Sequence, residues 1–305
     1  MEAYFGNTDI AIIMGGILGV IGIVLVILNM FLTPKTDGQS SFLPSKNNLP
    51  KKQFEEWCLI YSVIWISLFG IVIVTQAYEY FNEWDYMSLM VVIVSPFLLQ
   101  PFLFPVDSEK NINVFDTYAF KANVWIAIFS FIGNYWYTHY FYCVLKAEYL
   151  FPAHRLNDVP ICLFLATHFY FVTYHTFANL ILRKIETTYK SDVYRHIFFW
   201  SCIFAFSYFT AFMETLTISS FPYYRFEDRF MAYTLGSAFY GIYFIVSFPA
   251  YFQLNEYVGK IVGVQPHTLY QTVMESFGAS MIVLCLLDIC RLYLNVPLHI
   301  NGVLY

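Results

Sequence analysis

Long apolar runs follow one another almost from end to end of this chain. A helix needs about 20 mostly apolar residues to cross the hydrocarbon core of a bilayer. Eight stretches approach or exceed that length: Ile10–Leu32, Trp57–Ala77, Tyr86–Phe104, Ala122–Tyr142, Ile161–Leu182, Ile197–Ser219, Met231–Tyr251 and Ser276–Leu294. The first contains no charged residue. The pattern predicts an all-α, multi-pass transmembrane bundle of about eight spanning helices. Between the first two runs, 33–56 is rich in Pro, Ser, Lys and Asn and reads as a solvated linker. The expected organisation is an N-terminal anchor helix (1–32), a cytoplasmic linker (33–56), a catalytic bundle (57–296) and a short tail (297–305). The first run is too long for a signal-peptide core and reads as an uncleaved anchor.

Composition changes the picture little. Hydrophobic residues make up 59% and charged residues 12% of the 305 positions, against about 25% charged in ordinary soluble domains. The net charge of −5 gives no footing for a nucleic-acid partner. The six cysteines form no CxxC pair and read as small buried hydrophobes. Lys and Arg concentrate in the loops after the first, third, fifth and seventh runs, which places those loops in the cytoplasm and the amino terminus in the lumen.

In such a chain the polar residues inside apolar runs are the candidates for chemistry, because placing an ionisable group at mid-bilayer costs about 2.5–3.5 kcal/mol on insertion scales. Glu214 stands out. Ser207, Thr210, Glu214 and Thr217 share one helix face. Apolar surroundings favour the uncharged carboxyl, and a neutral buried acid is a proton donor. In the fifth run His168, Val172, His175 and Asn179 form one stripe, able to accept or relay a proton or simply to join helices. No histidine boxes occur, so no metal is expected. Asn123, Ser130, Asn134 and Thr138 make a third stripe; Tyr233, Ser237, Tyr240, Ser247 and Tyr251 make a fourth. Asp288 and Arg291 are spaced to pair with each other, and Glu79 is the acid of its loop nearest the membrane. Aromatics reach 21%, and those in mid-run suit the lining of an apolar pocket for a flat ligand. Physical chemistry alone permits two readings: an enzyme doing proton chemistry on a lipid-soluble substrate, or a transporter or receptor. No internal repeat or paired broken helices favour transport.

Ordered strings narrow the choice. They run from Lys121-Ala122-Asn123-Val124-Trp125 through Gly133-Asn134-Tyr135, Asn157-Asp158-Val159-Pro160, Thr167-His168, Tyr174-His175, Glu214-Thr215, Phe221-Pro222-Tyr223-Tyr224 and Asp228-Arg229. They end with Phe239-Tyr240-Gly241 to Phe248-Pro249, and Asp288 with Arg291-Leu292. In this order they resemble the cycloeucalenol cycloisomerase family of cyclopropyl sterol isomerases, over roughly Lys51 to Leu294. Asp158 stands where that family is expected to have a second Asn, and the first run and linker read as an extension. The resemblance implies opening of the 9β,19-cyclopropane ring of a 4α-methyl sterol to the 8-ene, without redox and without a cofactor. It implies residence in the endoplasmic reticulum membrane, with a cyclopropyl sterol and the bilayer as partners. On that reading Glu214 is the leading proton donor and His168 or His175 the base or relay. Asn134, Ser130 and Tyr240 would orient the acid or the sterol hydroxyl, and Trp125, Tyr135 and Phe244 would be pocket walls. Asp228 and Glu79 are the alternative acids near the interface.

Overall fold

The computed structural model describes residues 10–36, 40–136, 147–219, 221–227, 232–258 and 265–294. Among them are eight long helices: α1 (Ile10–Asn29), α2 (Leu49–Val74), α3 (Glu83–Leu103), α4 (Tyr118–Trp136), α5 (Ile161–Thr188), α6 (Val193–Ser219), α7 (Ser237–Gln253) and α8 (Leu269–Leu294). All but α4 and α7 are long and apolar enough to cross a membrane, so the expected count of eight is corrected to six. The reasons are local. α7 has only 17 residues and carries Pro249, while α4 has 19 and holds Lys121, Asn123, Ser130 and Asn134. Both pack inside the bundle, where protein replaces lipid as their surroundings.

α5 is the centre. It packs against α2, α3, α4, α6 and α7; α8 covers α4 and α7, and α1 lies along α6. Met14, Phe212 and Tyr208 form the α1–α6 contact, while Ile12, Val20, Ile23, Val24, Val26 and Ile27 of α1 are exposed. A clean start explains the position of α3. Asn82 accepts from the backbone N–H groups of Trp84 (2.8 Å) and Asp85 (3.2 Å), and the Asp85 carboxylate accepts from the Asn82 N–H at 2.9 Å, a reciprocal cap. Two short ladders close the same end of the bundle. β1 (Ala147–Tyr149) pairs antiparallel with β4 (Tyr224–Phe226). β2 (Arg155–Leu156) pairs with β3 (Val159–Pro160) through Asn157 and Asp158, whose φ values are 52° and 59°. A two-residue hairpin of that kind needs positive φ at both positions, which Asn and Asp both tolerate. The Asp at 158 therefore preserves the turn.

The solvated linker is also corrected. Its last eight residues are already the first turns of α2, and Asn48, Lys51, Phe54 and Glu55 are buried. Its earlier part is hydrogen-bonded to the end of α5: Lys35 N–H to the Thr188 carbonyl at 2.9 Å, Lys35 Nζ to the Glu186 carbonyl at 2.7 Å, and Ser41 N–H to Thr187 Oγ1 at 3.1 Å. The anchor is a four-charge cluster. Arg183 donates to Glu55 (2.8 and 2.9 Å), to Glu256 (3.1 and 2.7 Å) and to the Phe42 carbonyl (2.7 Å). Lys51 donates to the carbonyls of Phe252 and Leu254, both at 2.8 Å, and lies 3.1 Å from Glu256. Asn179 donates to Glu55 at 2.8 Å. The two cations balance the two anions, so four ionised groups are held without a net charge.

Asp288, expected to pair with Arg291, is exposed, and the Arg291 side chain lies outside the described residues.

Removing one member of a balanced buried cluster strands the others. Arg183→Ala is expected to destabilise the protein by about 3–5 kcal/mol, read as a fall in thermal midpoint in detergent. Burial pushes the Glu256 carboxyl up, but Lys51 and Arg183 outweigh it and hold it below its usual value of 4.5. A depressed folded-state value means that the stabilisation is complete above that usual value and is lost as pH falls below it. The thermal midpoint of the wild type should therefore hold between pH 7 and about 5 and drop below about 4.5, and Glu256→Gln should flatten the drop.

Candidate active site

Glu214 lies on α6, five residues before its end. It faces the bundle. Tyr240 on α7 donates to its Oε1 at 2.8 Å, and Oε2 is buried without a hydrogen-bond partner. Four phenols surround the carboxyl within electrostatic reach: Tyr170 and Tyr174 from α5, Tyr224 from β4, and Tyr240. Tyr174 is close enough to act on the charge, but no hydrogen bond of ordinary geometry reaches Oε2. Each helix contributes for a legible reason. Tyr170 and Tyr174 are spaced i, i+4 and so share a face of α5. Tyr224 is held in place by the β1–β4 ladder. A π-helical turn at Ala232–Gly236 leads into α7 just before Tyr240, an irregularity often found at functional sites. Of the polar stripe on α6, Ser207 and Thr210 are buried, Glu214 is half-buried with its Oε2 enclosed, and Thr217 is exposed; Thr215 takes the inner position instead.

The histidines are buried elsewhere. His168 Nε2 lies 3.0 Å from Asn123 Oδ1 on α4, and Asn123 Nδ2 donates to the Ala119 carbonyl at 2.9 Å. His175 Nδ1 is 2.7 Å from the Phe171 carbonyl, which requires a proton on Nδ1. Its Nε2 then accepts from the Ser247 hydroxyl at 2.9 Å. Six rings enclose this imidazole: Trp125, Phe129, Phe171, Phe244, Phe248 and Tyr251, with centroids 5.0–6.4 Å away. No hydrogen bond joins either histidine to Glu214. Phe244 stands between the two groups. It contacts Tyr240 at 5.1 Å and Tyr174 at 5.8 Å on the acid's side, and His175 at 6.4 Å on the other.

The remaining candidates divide. Trp125 is fully buried against Phe129 and Tyr251, facing His175 rather than the acid. Asn134 donates to the Ser130 carbonyl at 2.9 Å and accepts from Thr167 at 3.3 Å; Ser130 donates to the Ala127 carbonyl at 3.3 Å. These bonds tie α4 to itself and to α5. Tyr135 stacks on Phe131 (5.8 Å, 8°) beside Trp136. Glu79 is exposed and accepts from the Tyr223 hydroxyl at 2.7 Å. Asp228 lies outside the described residues. The structure thus joins Glu214, Tyr240 and Phe244 of the expected set. It adds Tyr170, Tyr174 and Tyr224, which the abundance of aromatic residues concealed.

A carboxyl hydrogen-bonded at one oxygen and unpaired at the other, among aromatic faces that favour cations, is suited in its protonated form to protonating a carbon framework. It needs no cofactor for that chemistry. No family model matches the chain, and no solved structure matches it. Among curated proteins it is similar to the cycloeucalenol cycloisomerase of Arabidopsis thaliana, with 39% identity over 256 residues, covering 82% of this chain and 90% of that one. At that identity and coverage, with a multi-pass membrane bundle that closes on an inward acid, the chain belongs to the cycloeucalenol cycloisomerase family.

Proposed function

We propose that this isomerase opens the cyclopropane ring of a cycloeucalenol-type 4α-methyl sterol to give the 8-ene, with Glu214 as the acid. The observation that carries the reading is the asymmetry of the carboxyl. Tyr240 donates to Oε1, so in the neutral acid the proton belongs on Oε2, and Oε2 has no acceptor in the protein. Met213, Leu216 and Thr217 beside it are exposed, so the acid lies one side chain beneath the lipid-facing surface. A sterol in the bilayer can approach it there.

The steps balance without a co-reactant. The Oε2–H bond breaks as a C–H bond forms at the ring methylene, using the electron pair of a strained carbon–carbon bond. Positive charge develops at the adjacent ring-fusion carbon. Faces of Tyr174, Tyr240 and Phe244 can stabilise it, by about 2 kcal/mol or more each when desolvated. The carbon on the far side of the cation then loses its proton, and the double bond forms. The base we assign is the carboxylate left on Glu214. One carbon alone separates the atom that gains a proton from the atom that loses one, and the transfer restores the neutral acid. His168 and His175 keep their hydrogen-bond partners in other directions; in this reading they hold α5 to α4 and α7. Residence in the endoplasmic reticulum, with the amino terminus in the lumen, fits a sterol-modifying enzyme and the loop charges.

Glu214→Gln should insert and fold yet lower turnover of cycloeucalenol by at least about 100-fold in microsomes, the usual scale for a general acid. Tyr240→Phe removes one hydrogen bond and should cost about tenfold in kcat with little change in KM. Normal turnover by the Gln variant would overturn the acid assignment. His175→Gln should retain more than ten times the activity of Glu214→Gln once folded protein is equalised; equal loss would return the base role to His175. An amine with its charge at the cationic carbon should inhibit at concentrations at least about 100-fold below the substrate KM.

A further inference from the structure

A cleft of about 640 Å³ opens between α6 and α8, at the end of the bundle that holds the ion cluster. Arg195 in its wall is about 28 Å along α6 from Glu214. The cleft exists because α6 and α8 both pack on α7 and scarcely on each other. Val246, Pro249 and Ala250 of α7 form an apolar floor. Gly278 of α8 keeps one wall open, since a Cβ there would meet no atom within 4 Å. Polarity is graded along the cleft. Arg195, His196, Gln253, Glu186 and Glu275 line the end nearest the ion cluster. Val246 and Ile282 line the other end, about 10 Å deeper on their helices than Gln253 and Glu275.

Arg195 decides the chemistry. It is half-buried, and its guanidinium donates to Ser191 Oγ at 2.7 Å, with long contacts to the Tyr189 and Glu186 carbonyls at 3.4 and 3.5 Å. All three acceptors are neutral. Asp192 caps α6 instead, accepting the Arg195 backbone N–H at 2.8 Å, and no carboxylate of the described residues forms an ion pair with the guanidinium. On the α8 wall, Glu275 has Oε1 3.1 Å from His267 Nε2 and, among the described residues, no partner at Oε2. A cation without a counter-ion on one wall, a half-engaged carboxylate on the other and an apolar floor between them suit a molecule with both charges and an apolar body.

We infer that this cleft binds a zwitterionic phospholipid whose headgroup ends in a primary ammonium. The phosphate meets the Arg195 guanidinium, whose planar fork matches it. The ammonium donates to Glu275, and an acyl chain lies on Val246, Pro249 and Ala250. The lipid fills a gap that would otherwise cost the flanking helices their packing contacts. An anionic lipid would bring no cation to Glu186 and Glu275, a sterol has no charge for Arg195, and free phosphate would leave the floor bare. None of this depends on the isomerase reading.

The test is native mass spectrometry of the full chain in detergent, with lipids of identical acyl chains. Phosphatidylethanolamine should bind at least about tenfold more tightly than diacylglycerol and than phosphatidylglycerol. Arg195→Gln should abolish the advantage over diacylglycerol, and Glu275→Gln the advantage over phosphatidylglycerol. Gly278→Trp should fill the cleft and displace the lipid. Phosphatidylethanolamine with a photoreactive acyl chain should label residues 246–253 or 275–282. Equal binding of phosphatidylethanolamine and diacylglycerol overturns the phosphate contact, and equal binding of phosphatidylglycerol overturns the ammonium contact. Displacement by inorganic phosphate overturns the assignment to a lipid. Labelling confined elsewhere, or undiminished binding by Gly278→Trp, overturns the site. The headgroup comparison on the wild type stands even where a variant fails to fold. Glu214→Gln should bind the lipid as the wild type does, so failure of the catalytic reading and failure of this one give different results.

Discussion

Hydrocarbon offers a polar side chain no water, so every inward polar group on these helices must find a partner in the protein. α5 shows how far that constraint shapes the molecule. Its polar stripe reads His168, His175, Asn179 and Arg183, and together these residues reach α4, α7, α2 and the turn after α7. His168 pairs with Asn123 on α4, His175 with Ser247 on α7, and Asn179 with Glu55 on α2. Arg183 joins Glu55 to Glu256. Apolar packing between helices is non-specific, since lipid tails are equally apolar. Directional pairs such as these fix which helix lies beside which. The same constraint gives meaning to the exceptions. Among the buried polar atoms left without partners in the described residues, Glu214 Oε2 is the one that belongs to a carboxyl. The hydroxyls of Tyr118 and Tyr251, the Trp125 indole N–H and Asn179 Oδ1 gather near the ion cluster instead, where buried water commonly resides.

The aromatic residues serve two purposes that share one wall. Around His175 they form a closed cage, with Trp125 stacked on Phe129 and Phe244 stacked on Phe248. Around Glu214 they present phenols, whose hydroxyls meet the carboxyl and whose faces remain for a ligand. Phe244 belongs to both groups. The bundle's core therefore continues without a break into the wall of the site. A carbocation formed beside Glu214 would be screened from water by the side chains that hold the helices together. That dryness matters, since water would quench such an intermediate by adding to it.

Much of this was legible in the sequence, and the gaps have physical causes. Apolar runs located all eight helices, because a 20-residue run is a strong signal. His168, Val172, His175 and Asn179 of the α5 stripe are all buried, because helical periodicity is a local property, but the stripe continues to Arg183, which read as a loop residue. The spanning count failed at α4 and α7, whose polar content or shortness suits a site among other helices; which neighbours a helix has is not written in its own residues. The linker failed for a related reason. Lys51-Lys52 and Glu55-Glu56 read as a solvated face, yet Lys51 and Glu55 meet Arg183 and Glu256, more than a hundred positions away. Their i, i+4 spacing on one face of α2 was the available hint, as it was for Tyr170 and Tyr174 on α5.

The two ends of the bundle are held by different means, and in the proposed mechanism the difference bears on how a rigid sterol reaches Glu214. At one end the ion cluster ties α2, α5 and the turn after α7 with charge-assisted bonds that cannot be released one at a time without stranding a charge. At the other end the ties are a three-residue ladder, a two-residue hairpin and phenol contacts such as Tyr223 with Glu79, many of them exposed. Local opening draws on the regions with few buried contacts and solvent-reachable hydrogen bonds. Glu214 and Tyr240 sit at that weaker end, on α6 and α7, and α7 enters through a π-helical turn. Parting α6 from α7 there would uncover Oε2 and leave the cluster intact. The cost of admitting substrate then falls on the weakest contacts, while the strongest preserve the arrangement of helices that places the acid.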